Sequence, residues 1–133
     1  MVEKSFLIDN FRLRTTENIG DGNPNADCLI VYDEGDLAKV KSITSFLNIS
    51  DQCWHMPHPS LTRLVDEFIG ILKPKLVIMM HSQCARVIGK IYNFSNNSKM
   101  IYMYTPSQMT DTATKQKARE YWNKALTFLQ KMV

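Results

Sequence analysis

Two short apolar runs constrain the fold of this chain more than any other feature. Cys28–Tyr32 and Leu76–Met80 each span five residues, contain no charged side chain and are bounded by turn-forming residues. A strand covered on both faces has this continuous apolar pattern, whereas a half-exposed strand alternates apolar and polar residues. The two runs therefore predict central strands of a parallel sheet that lies between layers of helices.

Helical patterns alternate with these strands along the chain. The clearest lies in residues 61–72, where apolar residues recur at i, i+3, i+4, i+7 and i+8 and Ser60 is the expected N-cap. Looser patterns predict helices over residues 36–47 and 83–92, and a long final helix is predicted over residues 115–132.

Two weaker strand patterns, at residues 52–55 and 100–104, complete the alternating series. Because alternating strands and helices imply right-handed crossovers, we predict an α/β fold in three layers, α/β/α, with a central four-stranded parallel sheet. A ligand site in such a sheet lies beyond the carboxyl ends of the strands. Here that edge comprises residues 33–35, 81–83 and 105–108.

Composition excludes several classes of protein. The chain has 133 residues, of which 44% are apolar, enough for one domain with its own core. The net charge of +3 is too small to indicate a nucleic-acid partner by itself. Neither a membrane-spanning run nor a signal-peptide core is present, so we expect a cytoplasmic protein that does not contact a membrane. Cys28, Cys53 and Cys84 lack a CxxC spacing and are expected to be buried free thiols.

The first 27 residues differ in composition from the rest. Residues 15–27 are rich in Asn, Gly, Asp and Thr, which is typical of a linker. The apolar residues before them span too short a stretch to bury themselves. We therefore interpret residues 1–27 as a partner-binding segment with its linker, and residues 28–133 as the folded domain. The alternative is that the segment docks on its own domain as a first strand or helix. The candidate partner-binding residues are Phe6, Leu7, Phe11, Leu13 and Arg14.

Three residues at the predicted sheet edge are candidates for catalysis if the chain is an enzyme. Asp33 and Glu34 follow a buried strand and could orient a water molecule, although a solvated turn or a helix cap is the simpler interpretation. His81 follows the other buried strand, where a hydrogen-bonded polar residue at a helix start is the alternative. His81, Ser82 and Cys84 form no nucleophile–base pair that spacing alone identifies.

No metal and no cofactor is predicted. His55 and His58 have an i, i+3 spacing, but no cysteine or carboxylate is placed to complete a zinc site, so loop histidines at the surface are expected. Gly35 stands alone after the first strand, without the glycine-rich loop that cradles a phosphate. A flavodoxin-like nucleotide-binding module is therefore the weakest alternative.

Basic residues are dispersed around the predicted final helix. They could contact DNA phosphates, but lysines spread around a helix more commonly form a solvated face. We therefore expect any contact with DNA to be weak or indirect. The residues named for such a contact are Ser107, Lys115, Lys117 and Arg119.

The end of the chain resembles the uracil-DNA-glycosylase superfamily. A short apolar strand stops at Thr105-Pro106-Ser107, and the long final helix follows. In the glycosylases a histidine normally precedes this Pro-Ser and stabilises the leaving base, whereas Thr105 stands here. The resemblance implies that Asp33 or Glu34 would take the place of the water-orienting residue. No residue of this chain matches the asparagine that reads the flipped base, so an enzyme is the less favoured interpretation.

A second resemblance spans nearly the whole chain. Residues 11–14 read Phe-Arg-Leu-Arg, residues 104–107 read Tyr-Thr-Pro-Ser, and Ala118 and Trp122 follow in the final helix. This arrangement resembles the psi subunits of bacterial DNA polymerase III, in which the first aromatic is usually tryptophan. The resemblance implies a uracil-DNA-glycosylase-like fold without an active site. It also implies a non-catalytic adaptor that joins the clamp loader through its N-terminal segment and a chi subunit through its folded domain. The alternative is a divergent or inactive glycosylase-superfamily protein that acts on or binds DNA.

Overall fold

The computed structural model describes residues 3–59, 62–81, 87–94 and 98–131. In this part of the chain, four α-helices and a six-stranded sheet form a mixed α/β fold. The helices are α1 (Lys4–Arg14), α2 (Leu37–Phe46), α3 (Arg63–Leu72) and α4 (Thr112–Lys131). The strands are β1 (Asp21–Gly22), β2 (Cys28–Tyr32), β3 (Cys53–Pro57), β4 (Leu76–Met80), β5 (Ile91–Asn93) and β6 (Lys99–Tyr102).

The sheet has the strand order β1-β3-β2-β4-β6-β5. The four central strands, in the order β3-β2-β4-β6, pair in parallel. Cys28 of β2 lies in register with Cys53 of β3 and with Leu76 of β4. β1 and β5 are antiparallel to their neighbours. The sheet is therefore mixed and has six strands, whereas four parallel strands were expected. None of the helices in the described ranges has the length and apolarity that crossing a bilayer requires.

The strand β5 replaces the end of a predicted helix. Residues 83–92 were expected to be helical, but Ile91–Asn93 pair antiparallel with β6. Gly89 precedes them with φ +86°, a left-handed conformation that favours glycine and interrupts a helix. A Cβ at this position would lie 2.5 Å from the Tyr121 ring of α4, so glycine also permits close packing there. The first part of this predicted helix, residues 83–86, lies outside the described residues and includes Cys84. Ser82 and the predicted N-cap Ser60 also lie outside them.

The predicted linker is packed against the sheet. Gly20 has φ +76°, and a Cβ on it would lie 1.7 Å from the backbone oxygen of His55 in β3. Ile19 is buried, and its carbonyl oxygen accepts a hydrogen bond of 2.7 Å from Trp54 Nε1. These close contacts, together with the pairing of β1 and β3, hold residues 19–22 against the domain.

Helices α1 and α3 cover one face of the sheet, which we call the α1/α3 face. Alternate residues of the strands point toward it, including Leu29, Val31 and Trp54. Phe11 of α1 is 1% exposed, and its ring lies 5.8 Å from that of Phe68 in α3, which in turn lies 5.1 Å from Trp54. Phe11 therefore belongs to the core of its own domain, which differs from the expectation of a separate partner-binding segment before residue 28. The physical reason is that α3 supplies the apolar surface that α1 lacks alone.

Helices α2 and α4 cover the opposite face, which we call the α2/α4 face. Ile30 and Ile78 point toward it from the central strands and pack in one cluster with Val40 of α2 and Trp122 of α4. Cys28 and Cys53 also lie here as buried free thiols, as predicted. A hydrogen bond with Cys53 and burial raise the pKa of the Cys28 thiol, so this thiol stays protonated and unreactive.

Candidate functional site

The carboxyl ends of three parallel strands bring Asp33, His58 and His81 together. Asp33 follows β2, and its Oδ1 contacts His81 Nδ1, which follows β4. His58 follows β3, where its backbone N–H donates a 2.7 Å hydrogen bond to the carbonyl oxygen of Tyr32. The His58 and His81 rings are stacked with their centroids 3.9 Å apart and their planes 6° apart. We call these three residues the edge cluster.

The edge cluster contains two of the three residues that the sequence offered for catalysis. Asp33 and His81 meet because β2 and β4 are adjacent in the sheet. Glu34 lies in a turn in which the Asp36 N–H donates a hydrogen bond to the Asp33 carbonyl oxygen. Its side chain is exposed, so Glu34 is a solvated turn residue. His58 was interpreted as a surface residue because the strand before it was predicted to end at residue 55, whereas β3 continues to Pro57.

The environment of the edge cluster favours a neutral His58. Partial burial lowers the pKa of His58, the adjacent His81 lowers it further, and Asp33 opposes both effects. A histidine whose Nδ1 is held by a carboxylate retains Nε2 as the atom that exchanges protons. The edge cluster can thus donate or accept a proton.

The stacked rings of His58 and His81 do not suit a shared metal ion. Because the lone pair of an imidazole nitrogen lies in the ring plane, two parallel rings cannot both direct a lone pair at one metal ion. Among the described residues, no group of three histidine, cysteine or acidic side chains is arranged to hold a metal.

The fourth strand end of this edge forms a local cap. Thr105 is fully buried, and its hydroxyl is 3.0 Å from that of Ser107. The backbone N–H of Thr105 donates a 2.9 Å hydrogen bond to Gln108 Oε1, and the Gln108 N–H donates to the Thr105 carbonyl oxygen. The Thr105 side chain also accepts from the Gln108 N–H, and this bond together with that from the Thr105 N–H to Gln108 Oε1 forms a capping box at the 3₁₀ helix Pro106–Gln108. Thr105, Ser107 and Gln108 thus use their polar groups to fold the chain at this edge.

A second feature is an apolar groove between α2 and α4, with a volume of about 440 Å³. Phe46 lines the open side of the groove and has 88% of its surface exposed. Trp122 lines the buried side and is 4% exposed. Lys115 and Arg119 are the charged residues among the lining side chains that the structure describes. We call this feature the α2/α4 groove. The residues that line it are Ser42, Ile43, Phe46, Leu47, Met109, Lys115, Ala118, Arg119, Trp122 and Asn123.

The structure separates the four residues named for a DNA contact. Lys115 and Arg119 line the α2/α4 groove, whereas Lys117 is exposed on α4 outside this lining. The Ser107 hydroxyl is hydrogen-bonded to the Thr105 hydroxyl. No local sequence pattern predicts the groove, because its width depends on how two helices that are distant in sequence pack on the sheet.

The candidate partner-binding residues also fall into two groups. Phe6 and Leu13 are 63% and 87% exposed, and Arg14 is exposed with its guanidinium 5.5 Å from the Phe11 ring. Leu7 is half-buried and Phe11 is buried. The exposed members of the set remain available for a partner, and Phe11 does not.

No protein-family model matches the chain, and no similar curated protein or solved structure was found. The inference of function therefore depends on the residues of this chain alone.

Proposed function

We propose that this chain is a non-catalytic adaptor in DNA replication that resembles the psi subunits of bacterial DNA polymerase III. In this role it links a clamp loader to a chi-like partner in the cytoplasm, and its fold is a variant of the uracil-DNA-glycosylase type. The observation that carries the proposal is Thr105. It stands where the resembling glycosylases place a histidine, and its buried hydroxyl and backbone are used to cap a 3₁₀ helix.

The neighbouring amide supports the same interpretation. A glycosylase needs an amide that reads the flipped base. Gln108, the amide nearest to Thr105 in sequence, accepts a hydrogen bond from the Thr105 N–H and so has its oxygen engaged in the capping box. This edge therefore offers a folded turn rather than a group aimed at a base.

Exposed apolar side chains support contact with other proteins. Phe6 and Leu13 project from α1, and Phe46 projects from α2, each with more than half of its surface exposed. Large apolar groups of this kind lose the free energy of burial in water, and a protein partner that covered them would restore it.

Two measurements test the proposal. Incubation with uracil-containing single-stranded and duplex DNA should produce no abasic sites above a buffer control. Mixing with clamp-loader and chi-like subunits of the same organism should give a co-eluting complex, weakened when Phe6 and Leu13 are both replaced by alanine. Base excision that disappears in Asp33→Ala would contradict the adaptor function.

A second candidate function is favoured by the edge cluster. Asp33, His58 and His81 form a proton-exchanging group at the edge where α/β proteins bind ligands. A divergent glycosylase-superfamily protein that acts on or binds DNA would use this group. In that case His81→Ala would abolish the excision of a base or weaken DNA binding. For the adaptor, free DNA should bind weakly, with an affinity that falls steeply as salt rises.

A further inference from the structure

The α2/α4 groove has the size and composition of a binding site. Its volume of about 440 Å³ lies within the roughly 300–1,000 Å³ typical of ligand pockets. Phe46, on the rim, is almost fully exposed although α2 has buried positions such as Val40 one turn and a half away. An aromatic side chain in this state loses the free energy of burial, which an occupant of the groove would restore.

A buried donor on the same face is also unsatisfied. Trp122 lines the groove and is 4% exposed, and its indole Nε1 has no hydrogen-bond partner among the described residues. Such a donor costs free energy that a paired one does not. Within the described residues, the polar groups of the α2/α4 face are thus not all paired at the position where the groove lies.

The charges around the groove select the kind of occupant. Lys41 of α2 lies 4.0 Å from Asp21, and Lys124 of α4 donates to the Gly89 carbonyl oxygen, so neither charge belongs to the lining of the groove. Lys115 and Arg119 lie one helical turn apart and both line the groove. A basic rim around an apolar floor complements an apolar surface flanked by carboxylates.

We propose that the α2/α4 groove is a docking site for an acidic amphipathic helix of a partner protein. The proposal rests on the proposed adaptor function and names the surface and the chemistry of one of its contacts. The apolar face of the helix would cover Phe46 and Trp122, and its carboxylates would pair with Lys115 and Arg119, as in other helix-in-groove complexes. Two copies of this chain meeting groove to groove would bring basic helices together, which disfavours that occupant.

A designed peptide tests the proposal directly. The probe is a fluorescein-labelled helical peptide with leucine and phenylalanine along one face and glutamates elsewhere, and the control peptide has lysine in place of every glutamate. Fluorescence anisotropy should show that the full chain binds the acidic peptide at least about tenfold more tightly, a difference of about 1.4 kcal/mol. Equal binding of the two peptides would overturn the proposal.

The two tryptophans report where the peptide binds. In a ¹H–¹⁵N spectrum, the indole signal of Trp122 should shift on titration. The indole signal of Trp54 should stay, because its Nε1 is bonded to Ile19 on the opposite face of the sheet. A shift of the Trp54 signal alone would place the peptide elsewhere and overturn the proposal.

Matched variants complete the test. Phe46→Ala and Arg119→Glu should each weaken binding by about tenfold, since each removes one component of the site. Lys117→Glu makes the same change of charge outside the lining, so this variant should bind almost as the parent chain does.

Two further results would count against the docking site in different ways. A dimer of the free chain that dissociates in Phe46→Ala would identify a second copy as the occupant and overturn the proposal. Base excision from uracil-containing DNA would instead contradict the adaptor function, and the peptide titration reports on the groove independently of it.

Discussion

The two faces of the sheet bury similar side chains but complete their packing differently. On the α1/α3 face, Phe11, Trp54 and Phe68 form a continuous cluster of tilted aromatic rings, and the Trp54 Nε1 donates to the Ile19 carbonyl oxygen. On the α2/α4 face, the Trp122 Nε1 has no hydrogen-bond partner among the described residues and lies beside a groove. The two tryptophans thus show the difference between the faces: the indole N–H of Trp54 is paired within the chain, whereas that of Trp122 has no such partner in the part of the chain that the structure describes.

The N-terminal segment accounts for part of this difference. Residues 19–22 lie along β3 and bring Ile19 to Trp54, while α1 adds Ile8 and Phe11 beside α3. No equivalent segment in the described part of the chain crosses the α2/α4 groove. In the proposed adaptor, a partner on the α2/α4 face would leave the α1/α3 core undisturbed, because the two core clusters lie on opposite sides of the sheet.

The largest expected effect tests whether the α1/α3 face is closed by α1. Phe11→Ala should lower the free energy of unfolding by about 3–5 kcal/mol, because it removes a buried aromatic ring that contacts Phe68. Leu13→Ala is the matched control on the same helix and should change it by less than about 0.5 kcal/mol, since Leu13 is exposed. Urea unfolding measures both. A neutral Phe11→Ala would mean that α1 does not belong to the core.

The fold could be predicted where the pattern of residues is local. β2 and β4 lie where their apolar runs predicted, since a strand covered on both faces needs no alternation. The docking of α1 could not be predicted in the same way. Its exposed and buried apolar residues are interspersed, and Phe11 is buried only because Phe68, far along the chain, lies opposite.

The candidate site was predictable to the extent that topology defines it. Adjacent parallel strands bring Asp33 and His81 to one edge, and this follows from the two apolar runs before them. His58 follows β3, and the mixed composition of this strand does not indicate where it ends. The stacking of His58 on His81 could therefore not be predicted. The α2/α4 groove depends on the distance between two helices, which no local pattern in Phe46 or Trp122 encodes.

An intermediate effect compares the two tryptophans. Trp54→Phe removes the hydrogen bond to Ile19 and leaves that buried carbonyl oxygen unpaired, which should cost about 1–3 kcal/mol. Trp122→Phe removes a donor that has no partner in the described residues, so its cost should be smaller by about that amount. Because the two substitutions delete the same atoms, the difference in unfolding free energy reports the hydrogen bond. Equal losses would show that the faces do not differ in this respect.

The smallest expected effect is a pH response of the α2/α4 face. His55 of β3 lies on this side of the sheet, beside Thr44 of α2, with its Nε2 3.2 Å from the Thr44 hydroxyl. Burial lowers the pKa of His55 and the Lys41 charge lowers it further, while Asp21 opposes them. The pKa of His58, which belongs to the edge cluster and not to this face, is also lowered, first by burial and then by His81.

The sign of this response follows from proton linkage. The unfolded chain, with histidine pKa values near 6.5, binds more protons than the folded chain between that pH and the lower folded values. Stability should therefore be complete above the unfolded pKa and should fall as pH decreases through this window, while most carboxylates are still ionised. Urea midpoints of the parent chain and of His55→Gln, which keeps a hydrogen-bonding group for Thr44, measure it. His55→Gln should flatten the decline, and His55→Gln with His58→Gln should flatten it further. A parent chain whose midpoint is constant across the window would show that these two histidines do not resist protonation, and the α2/α4 face would then not be the more pH-sensitive one.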